Sequence, residues 1–235
     1  MNTDITVVPR THRTRAPFVA RALLAAAAGA LTVGLLSAAP APVAAPAQAA
    51  PCPDIEVIFA RGTTEDPGVG RVGNSFIQDL RGMVGGRSVG AYGVNYPADY
   101  DFMQAAAGAN DASAHVQWMM NNCPATRLVL GGYSQGAAVI DTIAAVPVPG
   151  LGFDNPLPPN APEHVAAIAV FGNPSAKLGL PLTSSPVWGA RSIDLCIPGD
   201  PVCNLGLFEA TDVEAHRAYP GGATQQAAGF VAGRL

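Results

Sequence analysis

Residues 127–146 read RLVLGGYSQGAAVIDTIAAV, and this stretch decides the fold. Arg127–Gly131 is a short apolar run typical of a strand, and Gln135–Val146 is predicted as a helix that stops at the following proline. Between them, Gly132–Gly136 (GYSQG) matches the pattern G-x-S-x-G, which places a serine on a tight, strained turn from strand to helix. The residues two before and two after the serine must be small, because larger side chains would clash across the turn. The stretch therefore predicts a strand–turn–helix unit that presents Ser134 as a nucleophile.

Strand-like and helix-like runs alternate on both sides of this unit. The other predicted strands are Ile55–Ala60, Ser88–Tyr96, Val165–Phe171 and Ser192–Cys196, and the other predicted helices are Gly73–Val84, Asp101–Asn122 and Gln225–Arg234. Apolar strands that alternate with helices indicate a mainly parallel sheet covered on both faces. We therefore expect an α/β fold of three layers around a five-stranded sheet. Pro147–Pro162 is predicted as a proline-rich surface loop, and neither a repeat nor a linker divides residues 50–235.

The composition excludes several classes of protein. Apolar residues make up 49% of the 235 residues and charged residues only 13%, which is too apolar for a disordered chain. The 26 glycines and 22 prolines are too many turn formers for a helical bundle. The formal net charge of −4 gives no reason to expect nucleic acid or an anionic membrane as a partner.

The first 49 residues predict a secretory signal peptide. Four arginines precede the apolar run Ala22–Ala39, and a proline- and alanine-rich stretch then ends in Ala47-Gln48-Ala49, an A-x-A pattern. A membrane anchor is the alternative, because the run is close to the shortest length that spans a bilayer. Cleavage after Ala49 would leave residues 50–235 as a single secreted domain without a stable membrane span, and its retention at the cell wall is left open.

All four cysteines lie in the part of the chain that follows this leader. An even number of cysteines in an exported protein favours disulfides, and four cysteines can pair in three ways. Cys196 and Cys203 are near neighbours and are expected to pair, which leaves Cys52 with Cys123. A zinc site is the rival interpretation, but the chain has no C-x-x-C pair.

A serine hydroxyl is a poor nucleophile at neutral pH unless an imidazole takes its proton. Of the four histidines, His12 lies in the predicted leader, His115 lies mid-helix before the serine, and His164 opens a predicted strand. His216 alone follows the fifth strand, in the loop Asp212–Tyr219. In α/β-hydrolases the catalytic residues follow one another in the order serine, acid, histidine. His216 is therefore the predicted base, and His115 and His164 are expected to be ordinary surface or strand-end histidines.

Asp200 is the predicted acid that orients this base. It follows the fifth strand and lies inside the ring that a Cys196–Cys203 disulfide would close, and such a ring would hold the carboxylate rigidly. The competing candidates are Asp194, within the strand, and Asp212, on the approach to the histidine.

Four separate motifs in the right order make the chain resemble the cutinase family, in particular its secreted actinobacterial esterases. The motifs are Ala60–Glu65 (ARGTTE), Gly132–Ala137 (GYSQGA), Cys196–Cys203 (CIPGDPVC) and His216–Tyr219 (HRAY). The resemblance runs through nearly all of residues 52–235. It implies a three-layer α/β-hydrolase fold, the disulfides Cys52–Cys123 and Cys196–Cys203, and a catalytic triad of Ser134, Asp200 and His216.

The resemblance also implies an oxyanion hole made by the backbone N–H groups of Thr63 and Gln135. The hydroxyl of residue 63 is expected to help, and threonine keeps this hydroxyl where the family often has serine. The HGGG loop of other lipases is absent, which agrees with this kind of hole. No metal or organic cofactor is expected, and the enzyme is expected to act as a monomer on a small-molecule or lipid ester.

The predicted reaction is hydrolysis of carboxylic esters with short to medium acyl chains. Leu178, Leu180, Trp188, Leu205 and Phe208 lie near the predicted catalytic edge, where some of them could bind an acyl chain or simply pack in the core. The same triad could instead serve a phospholipase, a thioesterase or an acyltransferase. A non-catalytic secreted binding protein is the alternative from another class, and the complete set of catalytic positions argues against it.

Overall fold

A parallel sheet forms the centre of the part of the chain that the computed structural model describes, namely residues 51–145, 149–150, 152–204 and 213–235. Its five strands are β1 (Ile55–Ala60), β2 (Val89–Gly93), β3 (Arg127–Tyr133), β4 (Val165–Phe171) and β5 (Ser192–Leu195). Their order across the sheet is β2-β1-β3-β4-β5, and every pair of neighbours is parallel. The predicted sheet is confirmed. The predicted leader and its cleavage site lie outside the described residues and stay a prediction.

Helices cover both faces of this sheet. They are α1 (Gly70–Met83), α2 (Ala105–Asn122), α3 (Gln135–Ala145), α4 (Ala161–His164), α5 (Pro174–Lys177), α6 (Val213–Arg217) and α7 (Gly222–Ala232). Helices α1 and α7 lie on one face, while α2 and α3 lie on the other. The short helices α4, α5 and α6 were not predicted from the sequence. The predicted helix 101–122 begins instead with a 3-10 turn, Phe102–Gln104, whose N-terminus is capped by the carboxylate of Asp101.

The alternation of side chains along each strand divides the core in two. In β1, Ile58 and Ala60 belong to the cluster shared with α2 and α3, whereas Val57 and Phe59 belong to the cluster shared with α1 and α7. Because successive side chains of a strand point to opposite faces, an apolar strand such as β1 has to be covered on both. This requirement produces the three layers.

The path of the chain creates a crevice at the carboxyl edge of the sheet. After β1 the chain moves outward to β2, and it then returns through α2 to β3 on the other side of β1. The connections that follow β1 and β3 therefore diverge to opposite faces, and in open α/β sheets ligands bind at such a switch point. Thr63 follows β1 and Ser134 follows β3, so both lie at this crevice.

Two disulfides tie the chain as predicted. Cys52 is bonded to Cys123, across 71 residues, and Cys196 is bonded to Cys203, across seven. On the chain-entropy account the long loop stabilises the fold by roughly 4 kcal/mol and the short one by about 2–3 kcal/mol. Within the described ranges, none of the helices has the length and apolar character needed to cross a bilayer.

Candidate active site

Ser134 occupies the turn between β3 and α3 with a left-handed backbone, at φ +57°. Its N–H donates to the carbonyl of Phe171 at 2.9 Å, and its own carbonyl accepts from the N–H groups of the first turn of α3. A Cβ on Gly132 would overlap the backbone of Gly136, and a Cβ on Gly136 would overlap the carbonyl of Ala60. The two glycines are therefore a steric requirement of the turn, as the sequence pattern predicted.

His216 lies on α6 and contacts the serine directly. Its Nε2 is 2.9 Å from Ser134 Oγ, and its Nδ1 is 2.8 Å from Asp200 Oδ2. A carboxylate cannot donate, so Nδ1 carries the proton in this pair and Nε2 is left to accept from the serine hydroxyl. The structure thus brings the three predicted side chains into one hydrogen-bonded chain.

The orienting acid is held inside the short disulfide ring. Asp200 is fully buried, and its Oδ1 accepts from the N–H of Val202 at 2.7 Å. Burial acts to raise the pKa of Asp200, but hydrogen bonds from His216, Tyr219 and Val202 outweigh it and hold that pKa below the ordinary value. The carboxylate is therefore charged at neutral pH and can stabilise a protonated imidazole.

The competing candidates lie elsewhere. Asp194 accepts from the side chain of Asn173 and the N–H of Leu182, and burial raises its pKa. His115 packs against Glu56 and stacks on the ring of Tyr92, on the part of α2 that covers the edge strand. Asp212 lies outside the described residues.

The predicted oxyanion residues face each other across the crevice. Thr63 Oγ1 donates to Gln135 Oε1 at 3.1 Å, which joins the loop after β1 to the first residue of α3. The Thr63 hydroxyl thus lies at the crevice beside the Gln135 side chain, and its help to the oxyanion stays a prediction. The backbone N–H groups of the two residues remain the proposed donors.

A buried arginine fixes the loop that carries Thr63. The guanidinium of Arg61 donates to the carbonyls of Glu65, Val94, Tyr96 and Pro97 at 2.6–3.3 Å, so it joins the loop after β1 to the one after β2. The carboxylate of Glu65 then accepts from the N–H groups of Gly62 and Arg71. The contacts of Arg61 with Val94, Tyr96 and Pro97 join groups more than thirty residues apart, and the motif ARGTTE was the only sequence signal for them.

A cleft of about 460 Å³ opens beside Ser134. Its apolar wall contains Tyr100, Val202 and Val213, and the cationic side chains of Arg71 and Arg217 also line it.

The acyl-chain hypothesis fares differently for each predicted residue. Trp188 is buried in the core cluster of α2 and α3 and does not line the cleft, so the hypothesis is wrong for this residue. Leu178 and Leu180 are exposed and also lie outside the cleft lining. Leu205 and Phe208 lie outside the described residues.

Sequence reasoning missed two contacts that shape the site. Gly172, directly after β4, has φ +57°, and a Cβ there would lie 2.9 Å from His216 Cε1 and 3.1 Å from Asp200 Oδ2. The hydroxyl of Tyr133 donates to the backbone carbonyl of His216 at 2.6 Å, while its ring stacks on the imidazole. For Gly172, the sequence offered one signal, a glycine directly after an apolar strand. For the contact between Tyr133 and His216, the sequence offered no signal.

A family model described as cutinase matches residues 51–235. The chain belongs to the cutinase family. The resemblance inferred from four motifs is therefore confirmed, and with it the α/β-hydrolase fold.

Relatives and solved structures agree with this membership of the cutinase family. The chain is 53% identical to phospholipase Culp4 of Mycobacterium tuberculosis, over 97% of each chain. It is 49% identical to the probable carboxylesterase Culp2 of the same species, over 90% of this chain and 94% of the other. A Trichoderma reesei cutinase in complex with a phosphonate inhibitor is 30% identical, with a TM-score of 0.62 over 77% of this chain and 76% of that one.

Proposed function

We propose that Ser134, His216 and Asp200 hydrolyse carboxylic esters through a covalent acyl-enzyme. The broad class follows from the family, since members of the cutinase family with carboxylesterase activity are similar to this chain over most of its length. The protein is a serine esterase. The observation that supports the roles of individual residues is the hydrogen-bonded chain from Ser134 Oγ through the imidazole of His216 to Asp200.

The acylation step begins when Ser134 Oγ attacks the ester carbonyl and His216 Nε2 takes the hydroxyl proton. Asp200 stabilises the imidazolium that forms. Collapse of the tetrahedral intermediate breaks the bond to the leaving alcohol, which receives the proton from Nε2. Water then attacks the acyl-serine by the same sequence and releases the carboxylic acid.

The negative charge of the tetrahedral intermediate would be stabilised by the N–H groups of Thr63 and Gln135. Gln135 begins α3, so the positive end of the helix dipole adds to the effect. Removal of one donor from an oxyanion hole typically lowers turnover by about 10²–10³.

Short to medium acyl chains fit this site best. The apolar wall of Tyr100, Val202 and Val213 lies beside Ser134 and offers a contact surface for a few methylenes. The cations Arg71 and Arg217 also line the cleft, and this observation favours a second candidate, an ester with an anionic phosphate group such as a phospholipid. The name of the relative Culp4 points in the same direction.

We further propose that the enzyme is secreted and monomeric. The two disulfides support secretion, because disulfides persist in oxidising compartments and are rare in the cytosol.

Covalent labelling tests the nucleophile. A fluorescent alkyl phosphonate should label the parent protein, and Ser134→Ala should lose both the label and about five to six orders of magnitude of esterase turnover. Ser184→Ala is a matched control, since Ser184 lies in a separate 3-10 turn, where its exposed hydroxyl donates to the carbonyl of Pro181. Labelling of Ser134→Ala at the parent rate would contradict the proposal.

A substrate panel tests the specificity. p-Nitrophenyl esters from acetate to palmitate should give the highest kcat/KM at short or medium length. Arg71 Nη1 also donates to the carbonyl of Arg217, next to His216, at 2.8 Å, so its loss can affect both substrates. If the anionic candidate is correct, Arg71→Gln should lower kcat/KM for phosphatidylglycerol much more than for p-nitrophenyl butyrate. Equal losses on both substrates would reject that candidate. Product analysis in the presence of added glycerol separates hydrolysis from acyl transfer.

A further inference from the structure

The side chain of Tyr219 is fully buried behind the proposed triad. Its hydroxyl donates to Asp200 Oδ2 at 2.6 Å, the same carboxylate oxygen that faces His216 Nδ1. The same hydroxyl accepts from the N–H of Ile197 at 3.2 Å and lies 3.4 Å from the sulfur of Cys203. Tyr219 thus connects the acid to both ends of the Cys196–Cys203 ring.

The ring of Tyr219 is held as firmly as its hydroxyl. It packs edge-on against Phe171, whose carbonyl accepts from the N–H of Ser134, and lies 5.7 Å from the ring of Tyr133. Burial and the neighbouring Asp200 carboxylate raise the pKa of the Tyr219 hydroxyl far above its ordinary value. The phenol therefore stays neutral and keeps its proton available for donation at every pH at which an esterase would be assayed.

We propose that Tyr219 is a positioning residue that fixes the Asp200 carboxylate and tunes how strongly this carboxylate stabilises the protonated form of the His216 imidazole. A carboxylate oxygen that receives two hydrogen bonds shares its charge between them, so it attracts each proton less than it would attract one alone. The hydroxyl thereby weakens the stabilisation of the protonated imidazole by Asp200 at Nδ1, so the imidazole gives its Nε2 proton more readily to the leaving alcohol. This inference rests on the proposed esterase mechanism and adds a residue to it.

Other charged or titratable groups surround the acid–base pair. They are Tyr133 from β3, Glu65 and Arg71 from the segment between β1 and α1, Lys177 from α5, and Glu214 and Arg217 from α6. In the described residues the Asp200 carboxylate accepts only from His216, Tyr219 and the N–H of Val202. The ring of Tyr219 lies edge-on to the imidazole of His216, 6.3 Å between centroids, so the acid can be altered selectively only by a change that removes the hydroxyl and keeps the ring.

The test is the pH dependence of kcat/KM in Tyr219→Phe, which removes the hydroxyl and keeps the ring. We expect kcat/KM to fall about tenfold, and its acid limb to move to higher pH by about one unit, because Asp200 then stabilises the protonated imidazole more strongly. In an Asp200→Asn background the same change should have little further effect. A role in packing alone would lower the melting temperature while leaving the acid limb in place, and that result would overturn the proposal.

Tyr92→Phe is the matched control. It also removes a hydroxyl that donates to a carboxylate, that of Asp111, but in a different part of the fold. It should leave the acid limb unchanged, and an equal shift in both variants would count against a specific role of Tyr219.

Two further measurements test the role of Tyr219 independently of the folding of Tyr219→Phe. If Tyr219→Phe does not fold, site-specific replacement of Tyr219 by 3-fluorotyrosine keeps the hydroxyl and makes it a stronger donor, so the acid limb should move to lower pH. An unchanged limb would overturn the proposal. Phosphonate labelling of Ser134 in the same preparations separates the two claims: loss of Ser134-dependent labelling in the parent rejects the esterase mechanism, whereas normal labelling with a fixed acid limb rejects only the role of Tyr219.

Discussion

Backbone strain at the level of single residues is concentrated at the catalytic edge. In the described part of the chain, the non-glycine residues with positive φ are Thr64, Ala98 and Ser134, at 52–63°. The first two are joined by a hydrogen bond from Thr64 N–H to Ala98 carbonyl at 2.6 Å, in the region that carries the proposed oxyanion residue Thr63. Left-handed backbone costs a non-glycine residue about 1–2 kcal/mol, so surrounding contacts must hold each conformation. Of these, only the strain at Ser134 was predictable, because G-x-S-x-G implies it.

Gly172→Ala tests the closest packing in the site. Alanine would have to adopt the backbone φ of +57° at this position. Its Cβ would then lie 2.9 Å from His216 Cε1 and 3.1 Å from Asp200 Oδ2, so the imidazole has to shift. We expect kcat to fall about ten- to a hundredfold and the free energy of unfolding to fall by about 1–2 kcal/mol. Ester hydrolysis measures the change in kcat, and thermal unfolding measures the change in the free energy of unfolding.

Gly82→Ala is the control for this change. Gly82 lies inside α1 with an open space around it, so alanine should leave kcat unchanged and stabilise the helix by about 0.5–1 kcal/mol. Parent-like turnover in Gly172→Ala would show that the site accommodates the added Cβ without displacing the imidazole, and this would contradict the prediction.

At the scale of elements, the two disulfides have different roles. The Cys52–Cys123 bond closes a loop that contains β1, α1, β2 and α2, so its effect is mainly on the unfolded chain. The Cys196–Cys203 bond closes a short ring that contains Asp200. The sequence predicted both pairings from the spacing of the cysteines, but the hydroxyl of Tyr219 that braces the ring from inside depends on tertiary packing.

Removal of each disulfide should therefore affect a different property. Replacing Cys196 and Cys203 by alanine should lower kcat about ten- to a hundredfold, because Asp200 loses its rigid support. Replacing Cys52 and Cys123 by alanine should leave kcat near the parent value while costing roughly 4 kcal/mol of unfolding free energy. Turnover and chemical denaturation of the two variants decide the matter, and an equal loss of kcat in both would refute the distinction.

The edge strand shows where element boundaries escaped prediction. The strand predicted over 88–96 is confined to Val89–Gly93. Beyond it, the carbonyls of Val94 and Tyr96 accept from Arg61, and the N–H of Asn95 donates to Asp111. These partners are distant in sequence, so no local pattern indicates that the chain leaves the sheet here. By contrast, the inner strands β1 and β4 have the predicted bounds, because β4 is apolar throughout and β1 has only one polar residue, Glu56.

At the scale of the whole molecule, a buried carboxyl on α3 limits stability. Both oxygens of Asp141 are buried, and no described residue satisfies them with a hydrogen bond of good geometry. Burial outweighs the nearby polar groups Ser175 and Asn173 and raises the pKa of Asp141 to about 6. The folded state therefore binds a proton that the unfolded state releases between pH 4 and about 6. Because the native pKa is raised, stability falls as pH rises through this window and stays lower above it.

Asp141→Asn should remove this penalty. The variant should be more stable than the parent at pH 8 by up to about 3 kcal/mol, with the difference disappearing near pH 4. Asp154→Asn is the control, since Asp154 is exposed and the charge change is the same. Thermal unfolding across pH measures both, and a pH-independent difference for Asp141→Asn would contradict the assignment.

The general architecture was predictable because it depends on local patterns of apolar and polar residues along the sequence. Apolar strands that alternate with helices predict a covered parallel sheet, and the family confirms both the fold and the class of reaction. The residue roles stay proposals, although the three predicted side chains do meet. Wrong or missing details, such as the acyl-binding role of Trp188 and the contacts of Gly172, depend on packing between segments far apart in the chain.

The position of β1 between β2 and β3 has a consequence for synthesis. Ile55 pairs with Arg127 on one side and Val89 on the other, so the strand made first waits for partners that leave the ribosome much later. Parallel pairings between distant segments form slowly, and an apolar strand without neighbours is prone to aggregate meanwhile. We therefore expect the yield of the protein in recombinant hosts to rise when translation is slowed or the temperature lowered.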